Sequence, residues 1–140
     1  MGNRTIVGFK TNTNAPTLYV YLHWSSFSNG LQDAQKALEH AYPRWGDHSY
    51  AMRMAVSQLT HDAYPSEYGA GLAIDDFTSP DYNLWAEINW DAKWVEIWER
   101  KYIHQDNDYV ATDPKIVKYF TFDDFLGLTP EEITEMERNS

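Results

Sequence analysis

Two runs of alternating residues in the second half of the chain limit what it can fold into. Leu84, Ala86, Ile88 and Trp90 alternate with Trp85, Glu87 and Asn89, and Trp94, Glu96 and Trp98 alternate with Val95, Ile97 and Glu99. Successive side chains of a strand point to opposite faces, so a period of two reads as a strand with one face in a core. The pattern predicts a hairpin of Leu84 to Trp90 and Lys93 to Arg100, reversed at Asp91-Ala92. A glycine there would make a primed turn more convincing.

A second strand signal comes earlier. In TLYVYLHW (Thr17 to Trp24), Leu18, Val20 and Leu22 form an aliphatic side, and Tyr19, Tyr21 and His23 an aromatic and polar one. Such a strand suits a sheet whose second face is also covered, by a helix or another subunit. The preceding TIVGFK (Thr5 to Lys10) and the turn chemistry of TNTNAP suggest that it pairs backwards as an antiparallel hairpin. Leu72 to Phe77, after the Gly-rich SEYGAG, and Ile116 to Phe120 read as further strands, and the Asp-rich stretch Tyr102 to Asp113 as a surface excursion without period.

Helical periodicity occupies the remainder. Leu31, Ala34, Ala37, Leu38 and Ala41 make one stripe of a helix over about Leu31 to Tyr42, which Pro43 ends. A second helix follows Gly46, with Asp47 or Ser49 as its N-cap. Met52, Ala55, Val56 and Leu59 form its core side, beside a polar stripe of Arg53, Ser57, Thr60 and His61. Thr129-Pro130-Glu131-Glu132 combines a capping hydroxyl, a proline at the first helical position and a reciprocal glutamate, so a short C-terminal helix starts there. Phe122, Phe125 and Leu126 are expected to dock on the core just before it. The fold class is therefore α+β: an antiparallel sheet packed with two central helices and a short C-terminal helix, in a single domain over residues 1–140.

Composition narrows the chemistry. The chain has no cysteine, which excludes thiolate metal sites and thiol nucleophiles. It has no apolar run long enough to span a bilayer and no signal-like N-terminus, so a soluble protein without a membrane partner is expected. With 11 basic and 21 acidic residues the net charge is −10, a field that repels phosphate backbones and argues against non-specific nucleic-acid binding. No pair among the five histidines has the one-turn spacing of a helical zinc site. The G-x-S-x-G elbow, the P-loop and the dinucleotide fingerprint are absent. No catalytic residue, metal or cofactor is expected.

Binding chemistry remains. An adenine is held by an aromatic face and a hydrogen-bonding amide, and a pyrophosphate by an arginine fork. Arg53 is the only arginine or lysine between Arg44 and Lys93. In so acidic a chain it is either an ion-pair partner or the anchor of an anionic ligand. Phe77 stands at a strand end, where it could cover a pocket mouth or simply fill the core. Asn83 and Asn89 could read a base edge or form turns, and Arg100 with Lys101 adds a second basic pair.

The segments TIVGFK, TLYVYLHW, ALEHAYPRWGDHSYAMRMAVSQL and GAGLAID, in that order, resemble the phage-encoded Thoeris anti-defence sponge proteins over about residues 4 to 100. The resemblance implies a non-catalytic protein of the host cytoplasm that sequesters a cyclic ADP-ribose isomer, and in some members cyclic oligonucleotides at a separate site. It also implies a homo-oligomer with ligand pockets between protomers. By position, Arg53 matches the arginine that faces the phosphates, Phe77 and Asn89 fall near base-contacting positions, and Arg100 stands for the second basic contact. The alternatives are a phage accessory or structural protein that binds only protein, and an enzyme that degrades a nucleotide signal.

Overall fold

The computed structural model describes residues 4–23, 26–61, 69–74 and 84–138. Strands β1 (Arg4–Lys10), β2 (Leu18–His23), β3 (Ala70–Ile74), β4 (Leu84–Asn89), β5 (Trp94–Glu99) and β8 (Lys115–Thr121) form one sheet in the order β3-β2-β1-β4-β5-β8. Four helices, α1 (Phe27–His40), α2 (His48–Leu59), α3 (Phe122–Leu126) and α4 (Pro130–Arg138), pack on one face of it. The fold is α+β with a short C-terminal helix, as the periodicities require.

The two expected hairpins are present. Strand β1 pairs antiparallel with β2, and β4 with β5, with Trp85 opposite Trp98 and Glu87 opposite Glu96. The sheet is nevertheless mixed, because β1 and β4 run parallel, with Val7 beside Ala86 and Lys10 beside Asn89. Alternation within a hairpin fixes which residues share a face. It carries no information on the relative direction of two hairpins joined through intervening helices.

Helix α1 begins at Phe27, four residues before the expected start. Ser26 caps it, its side chain accepting from the Asn29 backbone N–H at 3.2 Å. Gly30, which reads as a loop residue, lies inside the helix where it crosses β1. A Cβ there would stand 2.5 Å from the Thr5 methyl group, so the glycine permits close approach rather than a turn. Helix α2 packs on α1 through Ala51 and Ala55, with Met52, Val56 and Leu59 at the margin of the core. Asp47 occupies the α2 N-cap but makes no side-chain cap bond, and its carboxylate lies 3.9 Å from Arg44.

The stretch read as an aperiodic excursion is a second, two-stranded sheet of β6 (Tyr102–Gln105) and β7 (Asp108–Ala111). Asp106 and Asn107 both have positive φ, 53° and 65°, the backbone of a primed two-residue turn. Asp and Asn tolerate that region through local hydrogen bonding, so the signal was present in two residues and hidden by the polarity of the flanks.

At the C-terminus the capping box is complete. The Thr129 N–H donates to Glu132 at 3.0 Å, and the Glu132 N–H donates to the Thr129 hydroxyl at 3.2 Å. Gln35 of α1 donates to the carbonyls of Phe125 and Leu128, at 2.8 and 3.0 Å, and holds the α3–α4 turn. Phe122, Phe125 and Ile133 are buried beneath it. Thr129→Ala is expected to cost about 1 kcal/mol, within the range for a lost N-cap. Urea denaturation should show a lower midpoint with an unchanged slope.

Candidate functional site

The helix-bearing face of the sheet is apolar: Val7, Phe9, Val20, Leu22, Ala86, Ile88, Val95 and Ile97 all face the helices. The same alternation sends Tyr19, Tyr21, Trp85, Glu87, Trp94, Glu96 and Trp98 to the second face. There two carboxylates are buried, Glu87 at 1% and Glu96 at 4% exposure. A buried carboxylate requires hydrogen bonds or a counter-charge, and both are supplied.

Lys10 stands between them, its ammonium 3.3 Å from Glu87 and 3.4 Å from Glu96. Glu87 also accepts from the Trp85 indole N–H at 2.8 Å and the Tyr19 hydroxyl at 3.0 Å. Glu96 accepts from the indoles of Trp94 at 2.9 Å and Trp98 at 3.1 Å. Gly8 makes room for this arrangement: a Cβ there would lie 2.6 Å from Glu87 Cγ and 3.1 Å from the Tyr19 ring. One ammonium serves two carboxylates. Burial pushes the Glu87 carboxyl above the usual range, against the opposing pull of Trp85, Lys10 and Tyr19.

The indoles carry cations on their rings as well as carboxylates on their N–H groups. Trp85 and Trp98 stack at 6.3 Å with an interplanar angle of 8°. Lys10 lies 5.4 Å from the Trp98 ring centre, and Arg100 lies 5.7 Å from that of Trp85. Both contacts are within cation–π range. Arg100 is half-buried, and its Nε is buried with no hydrogen-bond partner among the described residues. Towards the edge strand, Trp94 packs on Tyr119 at 4.7 Å, and both remain well exposed.

The residues singled out from the sequence occupy separate places. Arg53 is exposed on α2, in the helical layer. Arg100 is on the second face with Trp85. Neither forms an ion pair with a carboxylate among the described residues. Asn89 is buried at the far end of β4, and its side-chain oxygen accepts from the Ala92 N–H at 3.0 Å, holding the β4–β5 turn. At ~3.4 Å per residue it lies roughly 14 Å along the strand from Trp85. Phe77 and Asn83 lie outside the described residues. One copy of the chain therefore separates Arg53, Asn89 and Arg100.

A groove of about 490 Å³ opens on the helical side, lined by Phe27, Ile97, Phe120 and Met136 with Glu132 and Glu135. It includes none of the sequence candidates. Among the described residues no helix is long and apolar enough to cross a membrane, and no cluster of His, Asp or Glu is arranged to hold a metal ion.

Lys10, Trp85, Glu87 and Glu96 were not selected from the sequence. Their signal was the spacing Trp85-x-Glu87 on one strand and Trp94-x-Glu96-x-Trp98 on the next, which puts each carboxylate two residues from an indole on the same face. No protein-family model, curated protein or solved structure matches the chain.

Proposed function

We propose that the protein binds an anionic adenine nucleotide of the cyclic ADP-ribose class and sequesters it unchanged, in the manner of the Thoeris anti-defence sponges. The observation that carries this reading is the pair Arg53 and Arg100. In a chain of net charge −10, both guanidinium groups are without a carboxylate partner among the described residues. Arg100 is in addition already laid over an indole. A guanidinium held on an aromatic plane keeps its planar donor edge for phosphate oxygens and loses little freedom on binding them.

The two arginines lie on opposite faces of the sheet, so a pyrophosphate contacting both requires two copies of the chain. The pocket is accordingly proposed to lie between protomers of a homo-oligomer in the host cytoplasm. A separate site for cyclic oligonucleotides belongs to the same reading. Sequestration needs affinity and abundance and no turnover.

Each charge-assisted contact is worth about 1.5–3 kcal/mol, so Arg53→Ala and Arg100→Ala should each weaken cyclic ADP-ribose binding by about 10- to 100-fold. Titration calorimetry reads this; without ligand the melting temperature of Arg53→Ala should stay at the wild-type value, and Arg100→Ala should lose no more than its contact with the Trp85 ring, about 0.5–1 kcal/mol. Unchanged affinity in both variants would contradict the assignment. A lowered melting temperature with binding retained would make the arginines structural.

A second reading, a protein that binds only protein, draws on the exposed Trp94–Tyr119 pair beside the edge strand β8. Complete absence of nucleotide binding by the wild-type protein would favour it.

A further inference from the structure

We infer that Glu87 is a positioning residue for Arg100, acting through the Trp85 indole. Three contacts connect them. The Glu87 carboxylate accepts from Trp85 Nε1 at 2.8 Å, which fixes the rotation of the indole about its own axis. Trp98 lies nearly parallel to the Trp85 ring at 6.3 Å, which fixes its tilt. The Arg100 guanidinium rests over the Trp85 ring at 5.7 Å, with its Nε shielded from solvent and offered no oxygen or nitrogen acceptor among the described residues. The π-face of the indole is the electron-rich surface available to that N–H.

Glu87 is itself held from the other side. Lys10, Tyr19 and the space left by Gly8 define where its carboxylate can lie. The fixed point thus begins at β1 and β2 and passes through Glu87 and Trp85 to the guanidinium beyond the end of β5. A side chain as long as arginine loses substantial rotamer freedom when it binds an anion. Ordering it beforehand on a locked indole lowers that cost and favours tighter binding.

The placement of Arg100 is independent of any ligand; its consequence for affinity rests on the nucleotide-binding reading proposed above. Both are open to measurement. In the wild-type protein, proton–nitrogen NMR resolves the Trp85 Nε1–H and the Arg100 Nε–H, assigned by their loss in Trp85→Phe and Arg100→Lys. The Arg100 signal is expected upfield of the other arginines, because it lies over an aromatic ring. As the pH falls through the Glu87 range, above the ordinary 4.5, both signals should move with one midpoint. Glu87→Leu should return the Arg100 signal to the position of a free arginine, and Glu87→Gln, which keeps an acceptor but loses the charge as protonation does, should hold it at the low-pH position of the wild type. With cyclic ADP-ribose as the probe, Glu87→Leu should weaken binding about tenfold and add no further loss in an Arg100→Ala background.

An Arg100 resonance that ignores both the titration and Glu87→Leu would overturn the inference. If Glu87→Leu fails to fold, the wild-type titration decides alone. If the resonances behave as expected while Arg100→Ala binds the nucleotide as well as wild type, the positioning stands and the proposed binding site falls.

Discussion

Lys10→Met is expected to destabilise the protein by about 3–5 kcal/mol, the usual cost of removing one partner from a buried charge cluster. Total stabilities of domains this size are about 5–15 kcal/mol, so the variant should be marginal at neutral pH. Lys10 is the only cation within ion-pair distance of Glu87 or Glu96 among the described residues, and those two carboxylates face each other across β4 and β5. Without it they repel in a site that water reaches poorly. The indole and tyrosine donors remain and satisfy oxygens, but they bring no positive charge.

The loss should shrink on acidification. The folded-state affinity of Glu87 for a proton already exceeds that of an ordinary carboxyl, for which 4.5 is the reference. Its contribution to stability is therefore fully present below that reference and is lost as pH rises through the higher folded value. Removing Lys10 raises the folded value further, so the variant should regain stability across a window that begins above the wild-type one and closes near 4.5. Urea denaturation at several pH values would show the two stabilities converging. A difference below about 1 kcal/mol at neutral pH would mean that the cluster is far better solvated than its burial implies.

Gly8→Ala should destabilise by about 1–3 kcal/mol, the cost of overpacking a filled site. The sign is the informative part. Gly8 is an interior strand residue, and replacing such a glycine by alanine on backbone grounds alone should stabilise by roughly 0.5–1 kcal/mol. Here the new methyl group would lie 2.6 Å from Glu87 Cγ and 3.1 Å from Thr17 and the Tyr19 ring. Tyr19 and Glu87 are the residues paired with Gly8 on its two sides. Glu87 cannot swing away without leaving Trp85, Tyr19 and Lys10 together. The double variant Gly8→Ala/Glu87→Ala removes the clashing Cγ, so the two losses should be less than additive. A thermally stabilised Gly8→Ala protein would show that Glu87 has room to move.

Much of this arrangement was legible in the residues. Alternation in Trp85 to Asn89 and Trp94 to Glu99 placed two carboxylates and three indoles on one face, and the Thr129–Glu132 capping box reads the same in sequence and in space. What stayed hidden is non-local. The parallel register of β1 on β4, which puts Lys10 beside that strand and Gly8 against Glu87, is decided by packing between segments about eighty residues apart. Gly30 reads as a turn residue until Thr5 is placed beneath it. Arg53 was distinctive because it stood alone in a stretch of chain. Its freedom from an ion pair among the described residues, and its separation from Arg100 by the thickness of the sheet, emerge only from the fold.

The proposal that the protein holds a nucleotide signal intact is tested most directly by recovery. The protein would be incubated with cyclic ADP-ribose and its ring-linkage isomers, separated from free ligand, heat-denatured, and the released small molecule analysed by mass spectrometry and chromatography. Return of at least one isomer unaltered, in stoichiometric amount from wild type and in greatly reduced amount from Arg53→Ala and Arg100→Ala, is the predicted result. Release of a chemically altered product would make the protein an enzyme, and retention of none of the isomers would contradict nucleotide binding altogether.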